Sequence, residues 1–130
     1  AKHDMSVIRL ATPTTNEARM AKVAEGASGF LYYVAVAGVT GSGSADPADI
    51  RGGVEMAQRV SGLPVCVGFG IKNGKQAAAM GEIADGVVVG SAFVDHARLA
   101  SEAGTHHIAA IEMGKLAQEL STALKGTVSA

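Results

Sequence analysis

The clearest chemical signal in this chain of 130 residues is a set of glycine turns placed after apolar runs. Val87, Val88 and Val89 run without a polar break into Gly90, and Ser91-Ala92 follow where a helix can begin. A glycine there lets backbone approach a ligand closely, and a serine can cap the helix. The free N–H groups and the positive dipole end of such a helix make a seat for a phosphate. Taken alone, this stretch is better read as a buried strand, a tight turn and a capped helix. Two further turns shift that balance: Gly70 follows the apolar run 64–68, and Gly41 closes Gly38-Val39-Thr40-Gly41. No Lys or Arg stands at these strand ends, so an anion would be held by backbone N–H groups and the Ser91 hydroxyl.

The other reactive side chains point to plainer roles. Cys66, between Val65 and Val67, reads as a small core residue rather than a nucleophile. Asp46 precedes Pro47 as a helix N-cap, and Asp95 falls on a short helix where solvation is expected. His96, His106 and His107 are helical or nearly so; adjacent histidines cannot share a helix face, so no metal site is expected. No Asp or Glu falls at the C-terminal end of any expected strand, which leaves proton transfer without an agent in these residues.

The elements that must position the turns alternate regularly. Strands are expected at about 6–11, 29–36, 64–68 and 85–90, each followed by a helix. Thr14 and Glu17 offer a reciprocal capping box for the first helix, which stops at Gly26. The stretch 38–45 is rich in Gly and Ser and predicts a mobile loop before the Asp46-Pro47 helix start. Gly52-Gly53 inside that helix costs about 1 kcal/mol per glycine relative to alanine, which close helix–sheet packing would explain. Asn73 and Gln76 open a third helix, and Ala92 to Leu99 form a short fourth one. Ala109, Met113, Leu116, Leu120 and Leu124 lie on one face of a last helix. Right-handed crossovers make four such β-α units a parallel sheet, an α/β fold that is either a small open sheet or half of an eight-stranded (β/α)8 TIM-type barrel. Residues 1–130 are then a single domain. Gly41, Gly70 and Gly90 all fall on the C-terminal edge of the sheet, where α/β proteins bind ligands.

Composition narrows the classes. A formal net charge of -1 and the lack of a basic cluster exclude a nucleic-acid or anionic-membrane surface. One cysteine allows no internal disulfide; with no membrane-length apolar run and no signal-peptide pattern, a cytoplasmic setting is expected.

Five segments together resemble the tryptophan synthase α chain. They are Leu10-Ala11-Thr12-Pro13-Thr14, Phe30-Leu31-Tyr32-Tyr33-Val34, Gly38-Val39-Thr40-Gly41, 63–71 and 84–92, in that family's order and spacing. The resemblance spans nearly the whole chain but only the C-terminal half of the family's barrel. It implies retro-aldol cleavage of indole-3-glycerol phosphate to indole and glyceraldehyde 3-phosphate, without a cofactor. It implies that Gly41, Gly70, Gly90 and Ser91 bind the substrate phosphate, that Tyr32, Phe69, Val88 and Leu10 line the pocket, and that Thr40 orders a lid facing the β subunit. The family's catalytic glutamate and aspartate belong to its N-terminal half, so these residues are expected to be inactive alone. Lys72-Asn73-Gly74-Lys75 departs from the family's more usual Thr/Ser-Pro-Glu stretch. The alternative is a non-catalytic phosphate-binding half-barrel that homodimerises into a full barrel, because a lone half leaves two bare strand edges and an apolar face.

Overall fold

Each strand is short, and the helix after it starts at a chemically marked residue. The structure is a computed structural model and describes residues 5–35, 46–68 and 70–127. The elements are β1 (Arg9–Ala11), α1 (Glu17–Ala24), β2 (Leu31–Val34), α2 (Pro47–Ser61), β3 (Val65–Gly68), α3 (Gly74–Gly81), β4 (Gly86–Val88), α4 (Ser91–Glu102) and α5 (His106–Thr127). The strands are shorter than the apolar runs suggest, and α4 extends beyond Leu99 to Glu102. The loop expected at 38–45 lies outside the described residues, as do Gly41, Thr40 and Phe69.

Helix starts follow side-chain chemistry, with one correction. Asp46 accepts the Ala48 N–H at 2.9 Å with Pro47 in the first helical position, and Asn73 accepts the Gln76 N–H at 3.0 Å. The Thr14–Glu17 capping box does not form. Asn16 immediately precedes α1 and its Oδ1 accepts the Arg19 N–H at 2.9 Å, which leaves Thr14 nothing to cap. The Thr14 hydroxyl instead meets that of Thr12 at 2.9 Å, and Glu17 reaches Arg59 of α2 at 3.0 Å. At the other end of α1, Gly26 adopts a φ of +70° as the stop residue.

The four strands pair in parallel in the order β1-β2-β3-β4. Crossovers of one hand, all stepping the same way across the sheet, put every connecting helix on the same face. Burial agrees. Ala11, Tyr33 and Val67 share one register row, Leu31 and Val65 another, and all five are at most 1% exposed. Met20 of α1, Val54 and Ala57 of α2, Ala77 of α3 and Leu116 and Leu120 of α5 complete that core. The α5 stripe predicted from periodicity thus faces inward at its centre.

Gly53 has the close-packing role expected of it: a Cβ there would run into the Tyr33 hydroxyl beneath. Gly52 has nothing within 4 Å, and no contact explains it. At the opposite end of the sheet from the turns, Asp85 accepts the Val65 N–H at 2.8 Å and the Gln58 side-chain amide at 3.0 Å, pinning β4 to β3 and α2.

Among the described residues, the other face of the sheet carries no helix. Leu10, Tyr32, Cys66 and Gly86 form its first register row and Val34, Gly68 and Val88 the next. Leu10 is 58% exposed, and Tyr32, Cys66 and Val88 are half-buried. Two sequence expectations are corrected here. β4 is not the fully buried strand expected from its apolar run, because it is the edge strand of the described sheet and all three of its residues are only half-buried. Cys66 is not part of the packed core, because strand alternation turns it to the open face, away from Val65 and Val67.

Candidate functional site

The glycine turns expected to bind phosphate are placed by the pairing of β3 with β4. Gly68 of β3 pairs with Val88 of β4, and Gly70 and Gly90 each follow two residues beyond that pair. Parallel strands lie about 4.8 Å apart, so both turns leave the same end of the sheet side by side. Gly70 has a φ of +74°, a conformation that side chains rarely tolerate, so this turn needs glycine for its own backbone. Ile71 behind it is 3% exposed and anchors the turn in the core.

The start of α4 differs from the sequence expectation in one respect. Ser91 does not cap the helix; Gly90 is the N-cap residue, without a side-chain hydrogen bond, and Ser91 is the first helical residue. The Gly90 carbonyl accepts the Phe93 and Val94 N–H groups at 3.0 and 3.2 Å. The N–H groups of Ser91 and Ala92, which have no partner within a helix, therefore head the α4 dipole beside exposed Gly90. A capping serine would spend its oxygen on such an N–H; at the first helical position its hydroxyl adds a donor instead. α4 packs mainly on α5 rather than on the sheet, so this helix start projects at the end of the strands.

Tyr32 belongs to the same neighbourhood. It pairs with Cys66, but its ring leans along the sheet toward the turns and lies across Gly68: a Cβ at Gly68 would sit 2.9 Å from Tyr32 Cζ and would also meet the hydroxyl. Val88 stands beside Gly68 on this face, and Leu10 beside Tyr32 on the far side. The structure thus brings Tyr32, Val88 and Leu10 to one uncovered face whose upper end carries Gly70, Gly90 and Ser91. Gly41, Phe69 and Thr40 lie outside the described residues.

The acid–base inventory is sparse. Among the described residues no carboxylate stands at the C-terminal end of a strand; Asp85 is at the N-terminal end of β4. Asp95 is on α4, 60% exposed and 3.9 Å from Arg98. Burial first, and then the Asp85 carboxylate, push the Cys66 thiol above its ordinary range, which makes it a poor nucleophile. No group of three or more metal-ligating side chains occurs among the described residues, and no helix there is long and apolar enough to cross a membrane.

One residue has no local sequence signal. Glu119 of α5 accepts the N–H of Gly74, the first residue of α3, at 2.6 Å. A lone glutamate on the polar side of a helix stripe gives no hint of a partner 45 residues away.

A sheet in the order β1-β2-β3-β4 with its helices on one face, an open inner face and glycine turns at the C-terminal end defines part of a β/α barrel. Comparison with known proteins makes this specific. The sequence profile of the family described as "Tryptophan synthase alpha chain" matches residues 1–125, and the chain belongs to that family. It is 53% identical over 120 residues to the tryptophan synthase alpha chain of Zymomonas mobilis, covering 92% of this chain and 43% of that one. It is 59% identical over 88 residues to that of Rhizorhabdus wittichii, covering 68% and 32%. Among solved structures, the alpha subunit from Legionella pneumophila str. Paris superposes with a TM-score of 0.80 at 33% identity, over 96% of this chain and 44% of that one. The chain spans less than half the length of these relatives, and its four strands are part of their TIM barrel.

Proposed function

We propose that these residues are the phosphate-gripping part of a tryptophan synthase α chain, a carbon–carbon lyase that cleaves indole-3-glycerol phosphate to indole and glyceraldehyde 3-phosphate. The observation that carries the reading is the pair of turns at Gly70 and Gly90-Ser91, side by side at the sheet end above Tyr32. Family membership supplies the chemistry. The fold supplies the grip: the amides at Gly70, Gly90 and Ser91 and the Ser91 hydroxyl hold the phosphate, with Gly41 joining from its loop. Such donors are preorganised and fix the substrate without a cation. The apolar face bearing Leu10 and Val88, together with Phe69, takes the indole ring, and Tyr32 stands between ring and phosphate. The resemblance gives Thr40 the role of a lid residue facing the β subunit.

Retro-aldol cleavage needs one group to protonate the indole carbon and another to take a hydroxyl proton. The described residues place neither at the strand ends, so the 130 residues alone bind and orient but do not cleave. The reading treats residues 1–130 as one domain in the cytoplasm, consistent with a single cysteine and no disulfide.

The test joins these residues to the N-terminal portion of the Zymomonas mobilis relative. The completed barrel should release indole from indole-3-glycerol phosphate, and the 130 residues alone should not. Ser91→Ala in the completed barrel should raise KM several-fold with little change in kcat. A completed barrel that folds but releases no indole overturns the reading.

A second reading of the 130 residues alone rests on the open edges. A groove of about 570 Å³ runs between β1 and α1, and one of about 470 Å³ lies between β4 and α5. Two copies could close one barrel by pairing β4 of each with β1 of the other, burying both open faces without catalysis. Sedimentation that gives a monomer at all concentrations removes this reading.

A further inference from the structure

The turn from Gly70 to Gly74 is held by three kinds of contact. Ile71 is buried beneath it; the Lys72 N–H donates to the Gln76 side chain at 2.8 Å, and Asn73 accepts the Gln76 N–H. All of these lie within the turn or the first turns of α3. Among the described residues, the hydrogen bond that ties the segment to another element is the one from the Gly74 N–H to Glu119 Oε1 of α5. The fit is close: a Cβ on Gly74 would come within 3.1 Å of Glu119 Cγ and 3.2 Å of Ala123 Cβ, so α5 rests directly on the start of α3. α5 also packs along α4, whose first residue is Ser91. The same helix therefore stands behind both turns of the site.

Building on the phosphate reading above, we propose that Glu119 is a positioning residue: its carboxylate clamps the start of α3 to α5, and so holds Gly70 in register with Gly90 and Ser91. Glu119 is on an exposed position of α5 and makes no contact with the substrate in this arrangement; it acts through Gly74.

The test uses the completed barrel, titrated with inorganic phosphate and followed by the amide NMR signals of Gly70, Gly74, Gly90 and Ser91. Glu119→Ala removes the clamp. Glu119→Asp keeps the charge but is one methylene short, and it covers the case in which the alanine variant does not fold. Glu119→Gln keeps the reach and an acceptor oxygen. Losing the hydrogen bond that reaches across from α5 is expected to weaken phosphate binding roughly fivefold in the Ala and Asp variants, and the Gln variant, which keeps both reach and acceptor, should stay within about twofold of the parent. KM for indole-3-glycerol phosphate should rise in parallel while kcat holds. Phosphate affinity within twofold of the parent in either shortened variant overturns the inference, as does a Gln variant weakened as much as the Asp one. If phosphate leaves Gly70 and Gly90 unshifted in the parent barrel, the phosphate reading itself falls, a result distinct from failure of the clamp.

Discussion

The two faces of the sheet are built from alternate residues of the same strands and meet opposite fates. On one, Leu31 and Val65 have no exposed surface and Tyr33 and Val67 have 1%, sealed under the helices. On the other, Leu10 is 58% exposed and Tyr32 and Cys66 are half-buried. The difference does not come from the side chains, which are apolar or aromatic on both faces. It comes from topology: crossovers of one hand in the order β1-β2-β3-β4 deliver every helix to the same side. The covered face holds the fold together, and in a closed (β/α)8 barrel the open face becomes the packed interior below the C-terminal end of the strands.

That contrast can be broken most directly in the core. Leu31→Ala should cost about 3 kcal/mol, through lost burial and the cavity left behind, whereas Leu10→Ala should leave the melting temperature of these 130 residues almost unchanged. Equal losses at both positions would show that the open face is covered in solution. A smaller effect comes from the glycine pair of α2. Gly53→Ala drives a methyl group into the Tyr33 hydroxyl and should destabilise by about 1–3 kcal/mol, while Gly52→Ala, in open space, should stabilise by about 0.5–1 kcal/mol. Denaturant titration reads both signs.

Cys66 sharpens the comparison kinetically. Its raised thiol pKa predicts slower alkylation by iodoacetamide than free glutathione at pH 7.5, followed by mass spectrometry. Closing the barrel over the open face should slow it further; an unchanged rate would mean that Cys66 is not on the face being covered. The smallest effect is on the outer surface. The hydrogen bond and charge of Arg59 hold Glu17 below its ordinary 4.5. A folded-state value below the unfolded one adds stability above pH 4.5, and that contribution disappears as the pH falls through the folded value. Both groups are solvent-exposed, so Arg59→Ala should change the melting temperature at pH 7 little, and less still in high salt.

Several features could be read directly from residue order because their causes are local. Asp46-Pro47 and Asn73 start helices through bonds spanning two or three residues, and Gly26 stops one through its own φ. The capping box failed for an equally local reason, since Asn16 sits closer to α1 than Thr14 does. The candidate site was partly readable on the same terms. Gly70 and Gly90 stand out because each follows an apolar run, but that they lie side by side depends on β3 pairing with β4. The direction of the Tyr32 ring, across Gly68 and toward the turns, has no signature in either residue alone.

Apolar runs, turn chemistry and family motifs established an α/β chain of four repeating units with glycine turns at its strand ends. They could do so because those properties arise between residues a few positions apart, where chain connectivity alone brings the groups together. Which residues of a strand face the helices, why Cys66 is not in the core, and how Glu119 comes to hold Gly74 were settled by packing between distant segments. Such contacts depend on where β3, β4 and α5 come to rest against one another, and no short stretch of the chain contains that information.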